Sequence, residues 1–521
     1  MKLALTGDQT MIRDAAESFL ADVSGSAAVR RAMDSALGYD EAVWQRIGAE
    51  LGWCGIAIGE RYGGLALGPV ELALIQEQAG RYLLCAPFFA TVCAGAAVLQ
   101  EVGTDEAQAR FLPQIAAGEL RIGLPLHGNA ADWLAAARGL RARRSGDAWA
   151  LEGEVAAVLD AASADWLFVF ATIADGGLGL FALPRTAPGV TVTPLRTWDA
   201  TRRFAQLRLA GVQTALRIDD PARIEHGLVR AAALMRLYLA AEQLGGAQQC
   251  LDLTVAYTAT RKQFGRAVAG FQAVKHRCAE MMVRIEALRS AVYGAAALAA
   301  TRPTADALAM ECAAARALAC DTFFFCAQEA IQLHGGVGFT WEYDPQLYFK
   351  RAQASGHWLG TADGLRGELA EALLNGAALT PDPSPGGRGE NDDEQFRAEV
   401  AEWMREHLTG RFAGLKHRGG PGDEEYEPAL RKEWERELAA GGWTCVGWPK
   451  DCGGRGLSIE QQVIFHEEYA RAGGPGRMGH IGEGLIGPAL IRFGSDAQKA
   501  RFLPEIVAGR EYWAQGYSEP G

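Results

Sequence analysis

AELGWCGIAIGERYGGLALGPVELALIQEQAGR, residues 49–81, and LAAGGWTCVGWPKDCGGRGLSIEQQVIFHEEYARAG, residues 438–473, are one passage written twice. Gly52-Trp53 matches Gly442-Trp443, Gly63-Gly64 matches Gly453-Gly454 and Glu77 matches Glu467, each at an offset of 390. Further on, RFLPQIAAGE from Arg110 returns as RFLPEIVAGR from Arg501, at an offset of 391. One inserted residue accounts for the change. Self-similarity at a fixed spacing marks a repeated structural unit. The second copy runs to Gly521 and contains only what matches residues 1–128 of the first. The expectation is one full unit followed by the opening part of a second.

Between the copies lies LTPDPSPGGRGENDDE, residues 379–394. Proline restricts φ and removes a donor, and glycine adds freedom, so the stretch is a poor core former and reads as a linker or, equally, as a low-complexity insertion without a role. Within the first unit, residues 8–120 carry helical periodicity. Residues 121–215 change character: DWLFVFATI, GLGLFALP, VTVTPL and RFAQLRLAGV are short apolar or alternating runs bounded by Gly, Pro and Asp, and read as strands. Residues 225–375 return to long helices. In FQAVKHRCAEMMVRIEAL, Phe271, Val274, Cys278, Met281, Ile285 and Leu288 recur every three or four positions and form one apolar face. The fold class is therefore mostly α with a small β domain. The expected domains are 1–120 (helical), 121–220 (β), 221–376 (helical bundle), 377–393 (linker) and 394–521 (a second helical domain).

The 521 residues are 49% hydrophobic and 22% charged, with a formal net charge of −12. That composition suits globular domains. Broad nucleic-acid binding needs a basic face, and no Lys/Arg run supplies one. No run of 18 apolar residues predicts a membrane span. The N-terminus lacks the apolar core of a signal peptide, so cytoplasm is the expected compartment. The ten cysteines form no Cys-x-x-Cys pair, which predicts neither a metal site nor a disulfide framework.

Three motifs carry chemistry. Arg261-Lys262-Gln263-Phe264-Gly265-Arg266 sets a cationic fork beside an amide and a glycine, a combination suited to a diphosphate. Taken alone it is equally a basic helix end with a glycine stop. Gln332-Leu333-His334-Gly335-Gly336-Val337-Gly338-Phe339 offers glycines that let a nucleotide approach the backbone, and alone reads equally as a helix cap and turn. Gln515-Gly516-Tyr517-Ser518-Glu519-Pro520-Gly521 closes the chain, while its counterpart, Leu124-Pro125-Leu126-His127-Gly128, lacks Ser-Glu-Pro-Gly.

Together and in this order, the YGG turn, the FLPxIxxGE segment, RKQFG and QLHGGVGF resemble the acyl-CoA dehydrogenase family. The resemblance covers nearly the whole chain except the linker. It implies N-terminal helices, a barrel-like β domain and a C-terminal four-helix bundle. It also implies FAD, an acyl-CoA substrate, an electron-transfer flavoprotein-type acceptor and a homo- or hetero-oligomer. In that family the RKQFG and GGxG stretches reach across a dimer interface to a neighbour's FAD. The implied contacts are Arg261, Gln263 and Phe264 at the diphosphate and Gln332, Gly335 and Gly336 toward the adenosine. Gln515, Tyr517 and Ser518 of the second copy would line the flavin ring.

The first unit departs from the family where chemistry happens. The family's two alternative positions for the catalytic carboxylate fall on Leu359 and Met235, and neither side chain accepts a proton. No residue is therefore expected to be catalytic. Glu467, Glu468 and Glu483 read as solvated or capping carboxylates, and His334 and His357 as structural or surface residues. The pattern is similar to the two-component acyl-CoA dehydrogenases of bacterial steroid side-chain degradation, in which one subunit type lacks the base. An inactive scaffold and an oxidase-like enzyme are the alternatives.

Overall fold

The computed structural model describes residues 5–126, 139–146, 148–173, 177–374, 390–420 and 422–514. Gln515, Tyr517, Ser518, the Ser-Glu-Pro-Gly loop and most of the linker stretch lie outside these described residues. The chain divides into two compact units, Met1–Asp382 and Pro383–Gly521.

The first unit opens with helices α1 (Gly7–Val23), α2 (Ser26–Asp34), α3 (Glu41–Gln45), α4 (Pro69–Arg81), α5 (Ala97–Val102) and α6 (Asp105–Ala116). Their starts are set by side chains that satisfy orphan N–H groups. Thr6 and Gln9 make a reciprocal capping box on α1, and Thr104 accepts from the Ala107 amide on α6. The strands are β1 (Ile122–Gly123), β2 (Leu140–Ser145), β3 (Ala148–Leu159), β4 (Trp166–Ile173), β5 (Leu178–Pro184), β6 (Val190–Pro194) and β7 (Phe204–Arg217). They run in the order β1-β4-β2-β3-β7-β5. A β4–β5 pairing closes the ring, with Phe168 opposite Ala182, and β6 lies on β7. Leu151, Val155, Leu167, Val169, Phe181, Leu207 and Val212 fill its interior. The sheet is thus barrel-like, as the resemblance implies. β2 and β3 are strands that no apolar run announced: β2 reads Leu-Arg-Ala-Arg-Arg-Ser, with only Leu140 and Ala142 turned inward.

The bundle comprises α7 (Ile224–Thr260), α8 (Gln272–Ala300), α9 (Ala305–His334), α10 (Pro345–Ser355) and α11 (Ala362–Leu374). At 1.5 Å per residue, α7 is about 55 Å long and runs through the heart of the unit. It crosses α4 at a point where both helices carry glycine. A Cβ on Gly80 would fall on the carbonyl oxygen of Glu242, and one on Gly245 on that of Glu77. Only glycine permits this approach. On α8, Met281, Ile285 and Leu288 are buried, whereas the face around Met282 and Val283 is exposed.

The second unit repeats the opening of the first in backbone detail. Its helices are α12 (Glu390–His407), α13 (Pro428–Ala440), α14 (Ile459–Arg471), α15 (Gly487–Phe493) and α16 (Asp496–Val507). Gly63 and Gly453 both adopt positive φ, at 76° and 87°. A Cβ on the next glycine would strike the carbonyl of Ile58 in one copy and of Trp448 in the other. Thr104 caps α6 and Ser495, its counterpart after the inserted residue, caps α16. The core of the second unit is aromatic, with Trp443 stacked on Phe465 at 5.5 Å beside Trp434 and Phe412. Glu468 is not solvated as its sequence context suggested. It is buried and paired with Arg397 at 2.6 Å and with Arg471. Glu483 likewise accepts from Arg477 and the Cys445 amide.

Candidate functional site

Two motifs that begin 71 residues apart, at Arg261 and Gln332, meet at one end of the bundle. Helix α7 ends at Thr260, and Arg261 leads into a two-residue hairpin, β8 (Lys262–Gln263) against β9 (Arg266–Ala267). Its tip, Phe264-Gly265, has φ of 50° and 78°. That sign at both central residues is what a tight right-twisted hairpin turn requires. Phe264 is a bulky residue in a left-handed conformation and is 92% exposed. Strain of this kind at an exposed position points toward a functional role. Phe271 packs edge-on to Phe264, and Arg266 lies over the Phe271 ring.

Helix α9 ends beside this hairpin. The His334 ring stacks on Tyr257, one turn before Arg261, with centroids 4.4 Å apart. His334 Nδ1 lies 2.6 Å from the Ala330 carbonyl, which can only accept, so this nitrogen carries the proton. Burial lowers the imidazole's pKa against that hydrogen bond. His334 is thus a structural tie, and His357 is exposed. Gly335 follows at φ 64°, and a Cβ on Gly335 or Gly336 would meet only open space. Gln332, Arg261 and Gln263 are exposed, and the Arg261 guanidinium has no partner among the described residues. The structure therefore brings Arg261, Gln263, Phe264, Gln332, Gly335 and Gly336 onto one surface. A cation, two amides and glycine backbone open to close approach can together hold a polyanion such as a diphosphate.

Met235 and Leu359, on which the resemblance would place a base, both lie fully buried in a packed interior. Arg236 Nε donates to the Leu359 carbonyl at 2.9 Å, and its two Nη atoms bind both Glu368 oxygens at 2.8 and 3.0 Å. Next to Leu359, Trp358 packs against Phe89 and Phe204 at 6.3 and 5.4 Å. Leu124, the counterpart of Gln515, is buried and bridges Leu159 through backbone hydrogen bonds. The first unit thus fills this interior with leucine and aromatic side chains.

Beside this plug lies a buried ion network that sequence reasoning missed. Arg351 Nε bonds Asp199 at 2.9 Å and its Nη1 bonds Glu242 at 2.6 Å. Arg202 binds the other Glu242 oxygen at 2.6 Å and reaches the Leu84 and Ala86 carbonyls. The network ties the N-terminal helices, the barrel, α7 and α10 together. Burial pushes the Glu242 carboxyl up, but Arg202 and Arg351 outweigh it and hold the group below its ordinary value. Nearby Asp160 has no salt bridge and one oxygen without a partner among the described residues, and burial pushes it up to about 7. These partners lie 40 to 152 residues apart in the chain, and no spacing rule reports them.

Among the described residues no His/Cys/Asp/Glu group could hold a metal, the cysteines are free, and no helix is long and apolar enough to cross a membrane.

Comparison with known proteins accords with this architecture. A family model for the acyl-CoA dehydrogenase N-terminal domain matches twice, at residues 6–119 and 390–510, and the C-terminal domain model matches residues 228–374. The chain is 33% identical over 352 residues to acyl-CoA dehydrogenase IpdE2 of Mycobacterium tuberculosis, covering 68% of this chain and 93% of that one. It is 53% identical over 130 residues to acyl-CoA dehydrogenase IpdE1 of the same organism, covering 25% of this chain. It spans about a third (34%) of the length of that second relative. Among solved structures, a variant of the Tcur3481-Tcur3483 steroid ACAD is 30% identical. It superimposes with a TM-score of 0.64, over 71% of this chain and 98% of that one.

Proposed function

The chain belongs to the acyl-CoA dehydrogenase family, and from that premise we propose that its first unit is a flavin-clamping partner without a base of its own. The observation that carries this reading is the contrast within one unit. Its motif-bearing surface is open at Gly335 and Gly336, while its two base positions are closed around Met235 and Leu359.

The residues present fit one part of FAD and not another. Arg261 and Gln263 would hold the diphosphate, Phe264 would cover it, and Gln332, Gly335 and Gly336 would accept the adenosine side. The buried Leu124 and Leu159 leave no room for the flavin ring in this unit's own barrel, so the ring belongs with Gln515, Tyr517 and Ser518 of a second-type unit. When bound, FAD supplies the acceptor for the hydride leaving the β carbon of an acyl-CoA. What this chain would contribute is an unpaired cation for phosphate charge beside glycine backbone that a nucleotide can approach closely. The α-proton must be taken by a carboxylate that neither Leu359 nor Met235 provides.

Three further elements follow from the family and its relatives. The acceptor would be an electron-transfer flavoprotein, the assembly an oligomer, and the substrate an acyl-CoA with a bulky group. A closed site in one unit of a pair frees volume beside the working one, and a steroid thioester would use it.

The visible spectrum of the purified chain tests the reading. Flavin should co-purify, and Arg261→Ala should lose it at least about tenfold more readily, as expected for one charge-assisted contact. Anaerobic addition of acyl-CoAs should leave the band unbleached. Bleaching by short linear acyl-CoAs would overturn the reading, and a chain without flavin would favour an inactive scaffold.

A further inference from the structure

A cavity of about 780 Å³ opens in the first unit between α4, α5, α7 and the end of α8, apart from both regions described above. Its floor is apolar, made by Leu72, Val92, Ala96 and Leu234, and Tyr238 lines it too. Around it stand four arginines, Arg61, Arg223, Arg230 and Arg302, and one carboxylate, Glu101.

The charges do not cancel. Arg230 pairs with Glu101 at 3.1 Å and donates to the Pro303 carbonyl at 2.7 Å. Arg61 lies over the Tyr62 ring and approaches the Gln108 amide oxygen at 3.4 Å. Arg223 reaches only backbone carbonyls, at 3.1 Å for Gln100 and 3.5 Å for Gly103. Arg302 has no partner among the described residues and is held at φ 53° on the rim. Three guanidinium charges are thus left without a carboxylate around one opening, in a chain whose net charge is −12. A buried polar group points the same way. Tyr238 is 3% exposed, lines the cavity, and its hydroxyl makes no hydrogen bond to a described residue. With no such partner, this hydroxyl is free to donate to a ligand that enters the cavity.

The fold does not require these charges. In the second copy the counterpart of Arg61 is Asp451, and Glu101 is replaced by Arg492. The same turn and the same helices form around the opposite signs.

We infer that the first unit carries a second ligand site in this cavity, for an amphiphile with an anionic head and a long apolar body. The head sits among Arg61, Arg223 and Arg302, and the body covers Leu72, Val92 and Leu234, with Tyr238 donating to its first polar atom. The volume lies within the range of roughly 300–1,000 Å³ usual for small-molecule pockets. The inference is independent of the flavin reading, because none of these residues belongs to the clamp.

Calorimetric titration of the full chain with palmitate, palmitoyl-CoA and hexadecanol tests it. Palmitate or palmitoyl-CoA should bind saturably, and hexadecanol at least about tenfold more weakly, since it brings no charge to the guanidinium groups. The double variant Arg61→Gln/Arg302→Gln should erase that difference without moving the unfolding transition, because both side chains are exposed. Leu234→Trp should abolish binding by filling the floor. Tighter binding of palmitate would identify the head as a carboxylate. Tighter binding of palmitoyl-CoA, lost in the arginine variant, would identify it as a phosphate. Equal binding of hexadecanol, indifference to the arginine variant, or no saturable binding of either anion would overturn the proposal.

Discussion

The two copies of the N-terminal helical domain share a backbone and differ in what covers it. In the first, Ala73, Ala94 and Val102 are buried. Their counterparts in the second, Val463, Leu485 and Phe493, are 40%, 49% and 81% exposed. The first copy puts small side chains where α7 and its neighbours press in. The second puts larger apolar ones on a face that no described residue covers. Gly80, which lets α4 touch α7, becomes Ala470. The shared turns and caps recur in both copies, while the side chains on one face record what each copy packs against.

The largest expected break in this comparison is at the ion network that ties the first copy, through the Leu84 and Ala86 carbonyls, to the rest of its unit. Arg351→Met would strand Glu242 and Asp199 as buried, under-paired carboxylates and should destabilise the first unit by about 3–5 kcal/mol. Calorimetry should show its transition falling while that of the second unit stays. Next in size is the helix crossing. Gly80→Val drives a side chain into the Glu242 carbonyl and should destabilise by about 1–3 kcal/mol, whereas Ala470→Val, exposed, should change stability by less than about 0.5 kcal/mol. Equal effects would erase the distinction between the copies.

The third is a pH effect, bounded for each pH unit rather than as a whole. Asp160 has its folded pKa raised to about 7, so its contribution to stability is complete below the ordinary carboxyl range and is lost as pH rises toward 7. The slope cannot exceed about 1.4 kcal/mol per pH unit for one proton. Asp160→Asn should flatten the stability of the first unit between pH 4 and 7, as followed by thermal melts across that range, and leave the second unit's profile unchanged. A profile as steep as the parent's would show that another group titrates there.

Much of the fold was legible because its signals are local. The Gly63-Gly64 turn, the Thr104 cap and the apolar runs of β4 and β5 each act within a few residues. Strand β2 was not, because its outward Arg141, Arg143 and Arg144 mask the two inward positions. The clamp surface could be proposed as two motifs, yet only the Tyr257–His334 stack shows how they become one. The contact of Arg236 with Leu359 and Glu368 spans 123 and 132 residues, and the Phe89–Trp358–Phe204 plug draws on three domains. Such contacts are products of tertiary packing and leave no periodicity behind.

The hairpin at Phe264-Gly265 has a kinetic consequence. Both residues already hold the torsions that the turn demands, and the ring is already braced against Phe271. Whatever docks there meets a shape that loses little further conformational entropy on contact. Its capture is then governed by encounter and orientation rather than by the folding of a loop, and changes at this tip should act mainly on how long the captured partner stays.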